Sequence, residues 1–347
     1  MTPFWRKVVF AGAGAAATAA IAKHLRRPSL NLAGKVVLIT GGSRGFGLAL
    51  ASRLGRMGCR IALCARDNGE LLRATARLQP HCSEVRTYQC DLTNPAEISA
   101  LIGHVAAGMG SLDGLVNNAG LVQVGPAQAM TLDDYSEALD LMFWAPLRCI
   151  TEALPHFRKQ GAGFIVNVTS IGGKVSVPHL LPYSCAKFAL TGLSEGLTAE
   201  LAGENIRVLT VAPGLMRTGS PIRAEVRGNH RAEYNWFALS DNMPGLSIQP
   251  DRAARQVVEA LVNGRREIIL TVPANILSRM HGAAPDLMIR AMEVAAAALP
   301  DSPDAPTPKL NGAEVQAGQR STVVGRVTEM VAKRAVERYQ NLALSEL

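Results

Sequence analysis

Residues 35–47 read Lys35-Val-Val-Leu-Ile-Thr40-Gly-Gly-Ser-Arg-Gly-Phe-Gly47. An apolar, β-branched run turns without interruption into a glycine cluster, and the cluster opens an amphipathic stretch of helical length. That order predicts a strand, a tight turn and a helix whose first N–H groups face an anion. Gly41 suits the turn, Gly45 a close backbone approach to a pyrophosphate, and Gly47 close packing of helix on strand. Thr40, Ser43, Arg44 and Phe46 complete the predicted dinucleotide-binding loop.

Further apolar runs at 60–64, 85–90, 114–117, 164–169, 207–211 and 267–270 alternate with helical patterns at 46–57, 95–108, 131–159 and 183–201. Such alternation predicts an α/β fold: a Rossmann-like, doubly wound parallel sheet of about seven strands between two helical layers. This domain is expected over residues 31–273. A helical C-terminal extension is expected over 274–347. It comprises an apolar helix at 274–299, an exposed, stiff proline-rich linker at Pro300-Asp-Ser-Pro-Asp-Ala-Pro-Thr-Pro308, and a helix at 321–340. Val324, Val327, Val331 and Ala335 fall on one stripe of that last helix.

Composition narrows the function. Of 347 residues, 48% are hydrophobic and the formal charge is +8. Six of those excess cations (Arg6, Lys7, Lys23, Arg26, Arg27 and Lys35) precede the first acid, Asp67. The rest is nearly balanced, and no basic stripe interleaved with aromatics supports nucleic-acid binding. The six cysteines and seven histidines show no metal-ligand spacing, which points to core thiols in a reducing compartment rather than to a metal site. Residues 1–30 form a leader with cations flanking an uncharged run at 8–22. As a helix those residues span about 22 Å, short of the ~30 Å hydrocarbon core. The leader reads as an uncleaved anchor that holds the protein on the cytoplasmic side of a membrane. A soluble helical leader and a cleaved targeting peptide are the alternatives.

Tyr183-Ser-Cys-Ala-Lys187 places a phenol and an ammonium four residues apart on one helix face. There the cation can favour the phenolate. Ser170 lies at the end of an apolar run thirteen residues earlier. Together the three suit proton exchange with a carbonyl or alcohol oxygen. At the end of the second strand the chain reads Ala62-Leu-Cys-Ala-Arg66 instead of ending on an acid. Arg66 and Arg44 therefore favour NADP(H) over NAD(H), with charge-assisted contacts to a 2′-phosphate and Asp67 as the objection.

On these motifs, residues 34–272 resemble the short-chain dehydrogenase/reductase family, and the wider wording is similar to a bacterial branch with N-terminal hydrophobic leaders. The resemblance implies that Thr40, Gly41, Gly45 and Gly47 hold the cofactor phosphates and that Asp91 and Leu92 meet the adenine. Asn118, Ala119 and Gly120 of Asn117-Asn-Ala-Gly120 would border the cofactor, as would Pro213, Gly214 and Thr218. It implies Tyr183 as general acid/base, its pKa lowered by Lys187 and the oxidised nicotinamide, with Ser170 on the substrate oxygen and Lys187 on the ribose. Met142 stands where the family usually has an asparagine that holds a relay water, which places the proton supply in question. The resemblance further implies a segment 215–248 that closes over the substrate. Met216, Tyr234, Trp236 and Phe237 are its candidate wall, suited to a lipophilic alcohol or ketone. A homodimer or homotetramer is implied through the helices around the catalytic strand. An NAD-dependent alcohol dehydrogenase and a non-catalytic dinucleotide-binding scaffold or sensor are the rival readings.

Overall fold

The computed structural model describes residues 29–243, 245–301, 305–319 and 323–339. Residues 1–28 of the leader lie outside the described residues. Among the described residues no helix is long and apolar enough to cross a membrane.

The chain enters through β1 (Val36–Thr40), α1 (Gly45–Arg56), β2 (Arg60–Ala65), α2 (Asn68–Leu78), β3 (Val85–Gln89), α3 (Pro95–Met109) and β4 (Gly114–Asn117). After a two-residue strand, β5 (Gln123–Val124), come α4 (Leu132–Leu139), α5 (Ala145–Gln160), β6 (Gly163–Val168), α6 (Leu181–Glu200) and β7 (Ile206–Pro213). Then follow β8 (Glu225–Val226), α7 (His230–Asn242), α8 (Pro250–Val262) and β9 (Glu267–Leu270). The sheet order β3-β2-β1-β4-β6-β7-β9 is parallel at every pairing. Alternate side chains of one strand feed opposite layers. Val37 and Ile39 of β1 pack in the core with α1, α2 and α8, whereas Val36 and Leu38 pack with α3 and α5. This is the expected three-layer α/β/α arrangement.

Two expected long helices are broken. The pattern read as one helix over 131–159 contains a π-turn at Asp140–Trp144 between α4 and α5. The apolar stretch at 274–299 is two helices, α9 (Val272–Ala283) and α10 (Pro285–Ala296). Pro285 forces the break, because the residue before a proline avoids helical dihedrals, and Ala284 adopts φ −147°.

The linker is less free than its composition suggests. Arg227 and Gly228 donate to Thr307, and His230 Nε2 lies 2.7 Å from the Pro308 carbonyl oxygen. The next residues form β10 (Leu310–Asn311), which adds to β8 and β5 as a small second sheet. They continue into α11 (Gly312–Ala317) and α12 (Val323–Tyr339). The side chains of Val324, Val327 and Val331 lie outside the described set, while Ala335, Val336 and Tyr339 are buried. Tyr339 and Arg338 bind Asp251 at the start of α8. The extension is thereby strapped across the face that carries α7.

Candidate active site

The glycine loop is held from below by the β4 motif. Thr40 Oγ1 accepts from the Asn118 and Ala119 amides at 3.0 and 3.1 Å, and Asn118 Nδ2 donates to the Thr40 and Gly41 carbonyl oxygens. Gly41 has φ +61°, and a Cβ there would meet Ala119 Cα at 2.8 Å. A Cβ on Gly47 would meet the Gly41 carbonyl and come within 2.5 Å of Asn118 Nδ2. At the mouth of α1, Arg44 gives no side-chain cap and the first turn holds no acid. Backbone donors at the start of α1 are thus left to an anion, which fits a dinucleotide pyrophosphate.

At the adenosine end Asp91 accepts from the Thr93 amide and hydroxyl. Those bonds, chiefly the amide, hold its carboxyl below the ordinary range, with the Arg66 cation helping. Leu92 is buried beside it, and Arg66 is exposed at the end of β2. Asp67, the objection raised from the sequence, caps α2 by accepting from the Glu70 amide. Arg44 departs from expectation: its guanidinium is ion-paired with Glu70 at 2.6 Å, so its donors already face a carboxylate.

Ser170, Tyr183 and Lys187 converge at the carboxyl end of β6. Ser170 Oγ accepts from the Gly172 amide at 3.0 Å. A Cβ on Gly172 would lie 3.1 Å from the Tyr183 ring and 3.5 Å from Ser170 Oγ, so that glycine packs between the two side chains. Lys187 Nζ donates to the Val168 carbonyl oxygen at 2.9 Å and sits 5.7 Å from the Tyr183 ring centroid. Burial lowers the lysine pKa to about 8. The phenol moves opposite to the expected direction. Burial raises its pKa, a hydrogen bond with Ser170 counters the rise, and the Asp241 charge adds to it. Desolvation of the buried phenolate outweighs the Ser170 hydrogen bond that favours it.

Met142 is fully buried in the π-turn. A Cβ on Gly120 would lie 3.4 Å from Met142 Sδ and 3.7 Å from Lys187 Nζ, so the thioether borders the lysine pocket. Sulfur is a weak acceptor. Met142 also packs with Ala138, Ala186 and Tyr183, and so fixes the position of α6.

The covering segment divides the four expected wall residues. Trp236 and Phe237 pack in the same apolar cluster as Tyr183, with Val124, Val177 and Leu180. Tyr234 and Met216 do not line that wall. Tyr234 points into the strap and donates to Gln316 Oε1 at 2.7 Å, and Met216 is buried in the α8-side core and bridged to Ile248. On α7, Tyr234 lies about 200° from Trp236 around the axis, so the two side chains leave the helix on different sides. Thr218 is buried, and its hydroxyl accepts from the Ser220 amide, while the Gly214 amide ties to Leu270. Pro213 ends β7 directly before that glycine.

Several site residues escaped the sequence reading. Asp241 is buried, accepts from the Met216 amide at 3.2 Å and from Ser220 Oγ at 3.4 Å, and has its pKa raised by burial to about 7. Glu233, also buried, accepts from Trp236 Nε1 at 2.7 Å and pairs with His179 at 2.9 Å, and His179 holds φ +62°. Asn117, Asn167, Ser194 and Thr210 form a buried hydrogen-bonded line across β4, β6, α6 and β7. The signals for that line are Asn117 in the quoted Asn117-Asn-Ala-Gly120 motif and the polar residues Asn167 and Thr210 inside apolar runs.

The short chain dehydrogenase family model matches residues 35–228. The chain is 35% identical over 237 residues to a granaticin polyketide synthase protein of Streptomyces violaceoruber named as a ketoacyl reductase, covering 65% of this chain and 86% of the other. It is 30% identical over 260 residues to a fatty acyl-CoA reductase of Acinetobacter baylyi, covering 74% and 82%. A short-chain dehydrogenase structure from Streptomyces avermitilis superposes with TM-score 0.66 at 29% identity, over 76% of this chain and 97% of that one. One from Burkholderia phymatum, in complex with NAD, has the same fold at TM-score 0.69 and 24% identity, over 74% and 96%. Five ordered motifs, the seven-stranded parallel sheet and these likenesses agree: the chain belongs to the short-chain dehydrogenase family and is an NAD(P)-dependent oxidoreductase.

Proposed function

We propose that the protein is an NADP(H)-dependent oxidoreductase that interconverts a lipophilic ketone and its secondary alcohol, with Tyr183 as the proton donor and acceptor. The observation that carries the reading is the convergence of the Ser170 hydroxyl, the Tyr183 phenol and the Lys187 ammonium at the end of β6, beneath the Trp236–Phe237 wall. The glycine loop would hold the cofactor's pyrophosphate, and the dinucleotide would supply or accept the hydride when bound. Ser170 and Tyr183 orient the substrate oxygen, and the phenol, kept protonated by its raised pKa, gives up its proton as the alcohol forms. Ser170 stabilises the developing alkoxide by hydrogen bonding. Lys187 keeps a cation next to the phenolate that this transfer leaves. Trp236 and Phe237 exclude water and favour an apolar substituent.

A lipophilic substrate also agrees with the names of the ketoacyl and fatty acyl-CoA reductase relatives. NAD(H) use is the second reading, and the Arg44–Glu70 ion pair favours it. Attachment through residues 1–28, on the cytoplasmic side, and homodimer or homotetramer assembly complete the proposal. Initial rates over paired aliphatic, steroidal and sugar carbonyls, each with NADPH and NADH, test it. Turnover confined to small polar sugars, or to NADH, contradicts it.

A further inference from the structure

Glu70 stands in the first turn of α2, its amide already bound by Asp67 Oδ1 at 2.8 Å. Its carboxylate reaches two other parts of the chain while only 5% exposed. Oε2 accepts from Ser43 Oγ at 2.8 Å and Oε1 from Arg44 Nη1 at 2.6 Å, both on the glycine loop. The same Oε1 accepts from Arg223 Nη2 at 3.2 Å. Arg223 ends the turn Ser220–Arg223 at the front of the covering segment, which runs on into β8 and α7. One buried anion thus joins the cofactor loop to the segment that closes over the substrate. The Arg44 and Arg223 side chains remain 34% and 37% exposed, so a solvent-borne anion can reach both.

We propose that Glu70 is a specificity-determining and positioning residue that latches residues 215–248 onto the glycine loop and sets the balance between NAD(H) and NADP(H). The inference rests on the dinucleotide site read above. A ribose hydroxyl leaves the Arg44–Glu70–Arg223 bridge intact. A 2′-phosphate is a stronger, bidentate acceptor that competes for Arg44, but it must settle near a carboxylate of its own sign. Glu70 therefore opposes the 2′-phosphate that Arg44 attracts, and its second arginine keeps the covering segment attached whichever cofactor is bound. A neutral amide at this position keeps the shape and removes both the repulsion and the ion pairs.

Glu70→Gln, Arg223→Ala and the wild type, all full-length, distinguish the outcomes in two measurements that need no turnover. Equilibrium titrations with NADPH and NADH should show the Glu70→Gln affinity ratio displaced at least fivefold toward NADPH. Amide hydrogen exchange without cofactor should be at least threefold faster over residues 219–226 in both variants and unchanged over residues 36–40. An unchanged ratio or unchanged exchange in a folded Glu70→Gln overturns the proposal. Should that variant not fold, unchanged exchange in Arg223→Ala does so. Wild-type protein that prefers NADH contradicts the NADP(H) reading alone, because the displaced ratio and the faster exchange are still required.

Discussion

Lys187 Nζ donates to the Val168 carbonyl oxygen at 2.9 Å while standing 5.7 Å from the centroid of the Tyr183 ring. The ammonium is therefore anchored by backbone beside the phenol. Its pKa, lowered by burial to about 8, falls inside the working range of an enzyme, whereas the Tyr183 pKa is raised. Reductive kcat/KM should be flat on the acid side and decline above about pH 8, as Lys187 loses its charge while the phenol keeps its proton. The pH–rate profile from 6 to 10 checks this, and Lys187→Met should abolish the alkaline limb. The same group bears on stability. Between about 8 and its unfolded value the unfolded chain binds the extra proton, so this contribution to stability rises with pH across that window.

Asp241 has the opposite sign. Its folded pKa of about 7 exceeds the model-peptide value of 3.8, so the folded chain holds the extra proton between them. The contribution is present in acid and is lost as pH rises through 7. A shift of that size corresponds to about 4 kcal/mol at most. Asp241→Asn retains an acceptor for the Met216 amide, and should raise Tm at pH 8 with no difference near pH 4. Because the Asp241 charge also raises the Tyr183 pKa, the variant should move the phenol's titration to lower pH.

The positions of the strands, the glycine loop and the Ser170–Tyr183–Lys187 spacing are legible in sequence because each rests on local periodicity or on a short fixed spacing. What is not legible depends on partners distant in the chain. The ion pair that Arg44 makes with Glu70, 26 residues on, is not in the local pattern of the glycine loop. Tyr234 reads as pocket wall until Gln316 arrives from the C-terminal strap. The break at 284 has a local signal in Pro285. The π-turn at Asp140–Trp144 has its signal in Pro146, which has no N–H to donate to the carbonyl four residues back and so interrupts the helical ladder there.

Gly47 offers a steric test of the cofactor cradle. Gly47→Ala brings a methyl into the Gly41 carbonyl and to 2.5 Å from Asn118 Nδ2. Relief requires the loop to move off β4. We expect dinucleotide affinity to fall at least tenfold and stability to drop by about 1–3 kcal/mol, read by titration and by denaturant unfolding.

Glu233 and Tyr234 are neighbours on α7 with different predicted effects. Glu233→Gln weakens the charge-assisted hold on the Trp236 indole and on His179, and should raise KM for an apolar ketone more than it lowers kcat. Tyr234→Phe removes the hydrogen bond to Gln316. It should cost about 1–2 kcal/mol of stability, leaving Gln316 short of a buried partner, with KM unchanged. Steady-state kinetics and thermal unfolding of the two variants separate the roles.

The central claim is that the Tyr183 phenol carries the proton at a site where Ser170 and Lys187 already converge. Tyr183→Phe removes one oxygen and leaves the ring packed against Gly172 and Met142. Reduction of a carbonyl turned over by the wild type, followed by oxidation of the reduced nicotinamide, tests it most directly. The account predicts a rate about 10²–10⁴-fold lower with cofactor affinity within a few-fold of wild type. A Tyr183→Phe enzyme that turns over at the wild-type rate contradicts it.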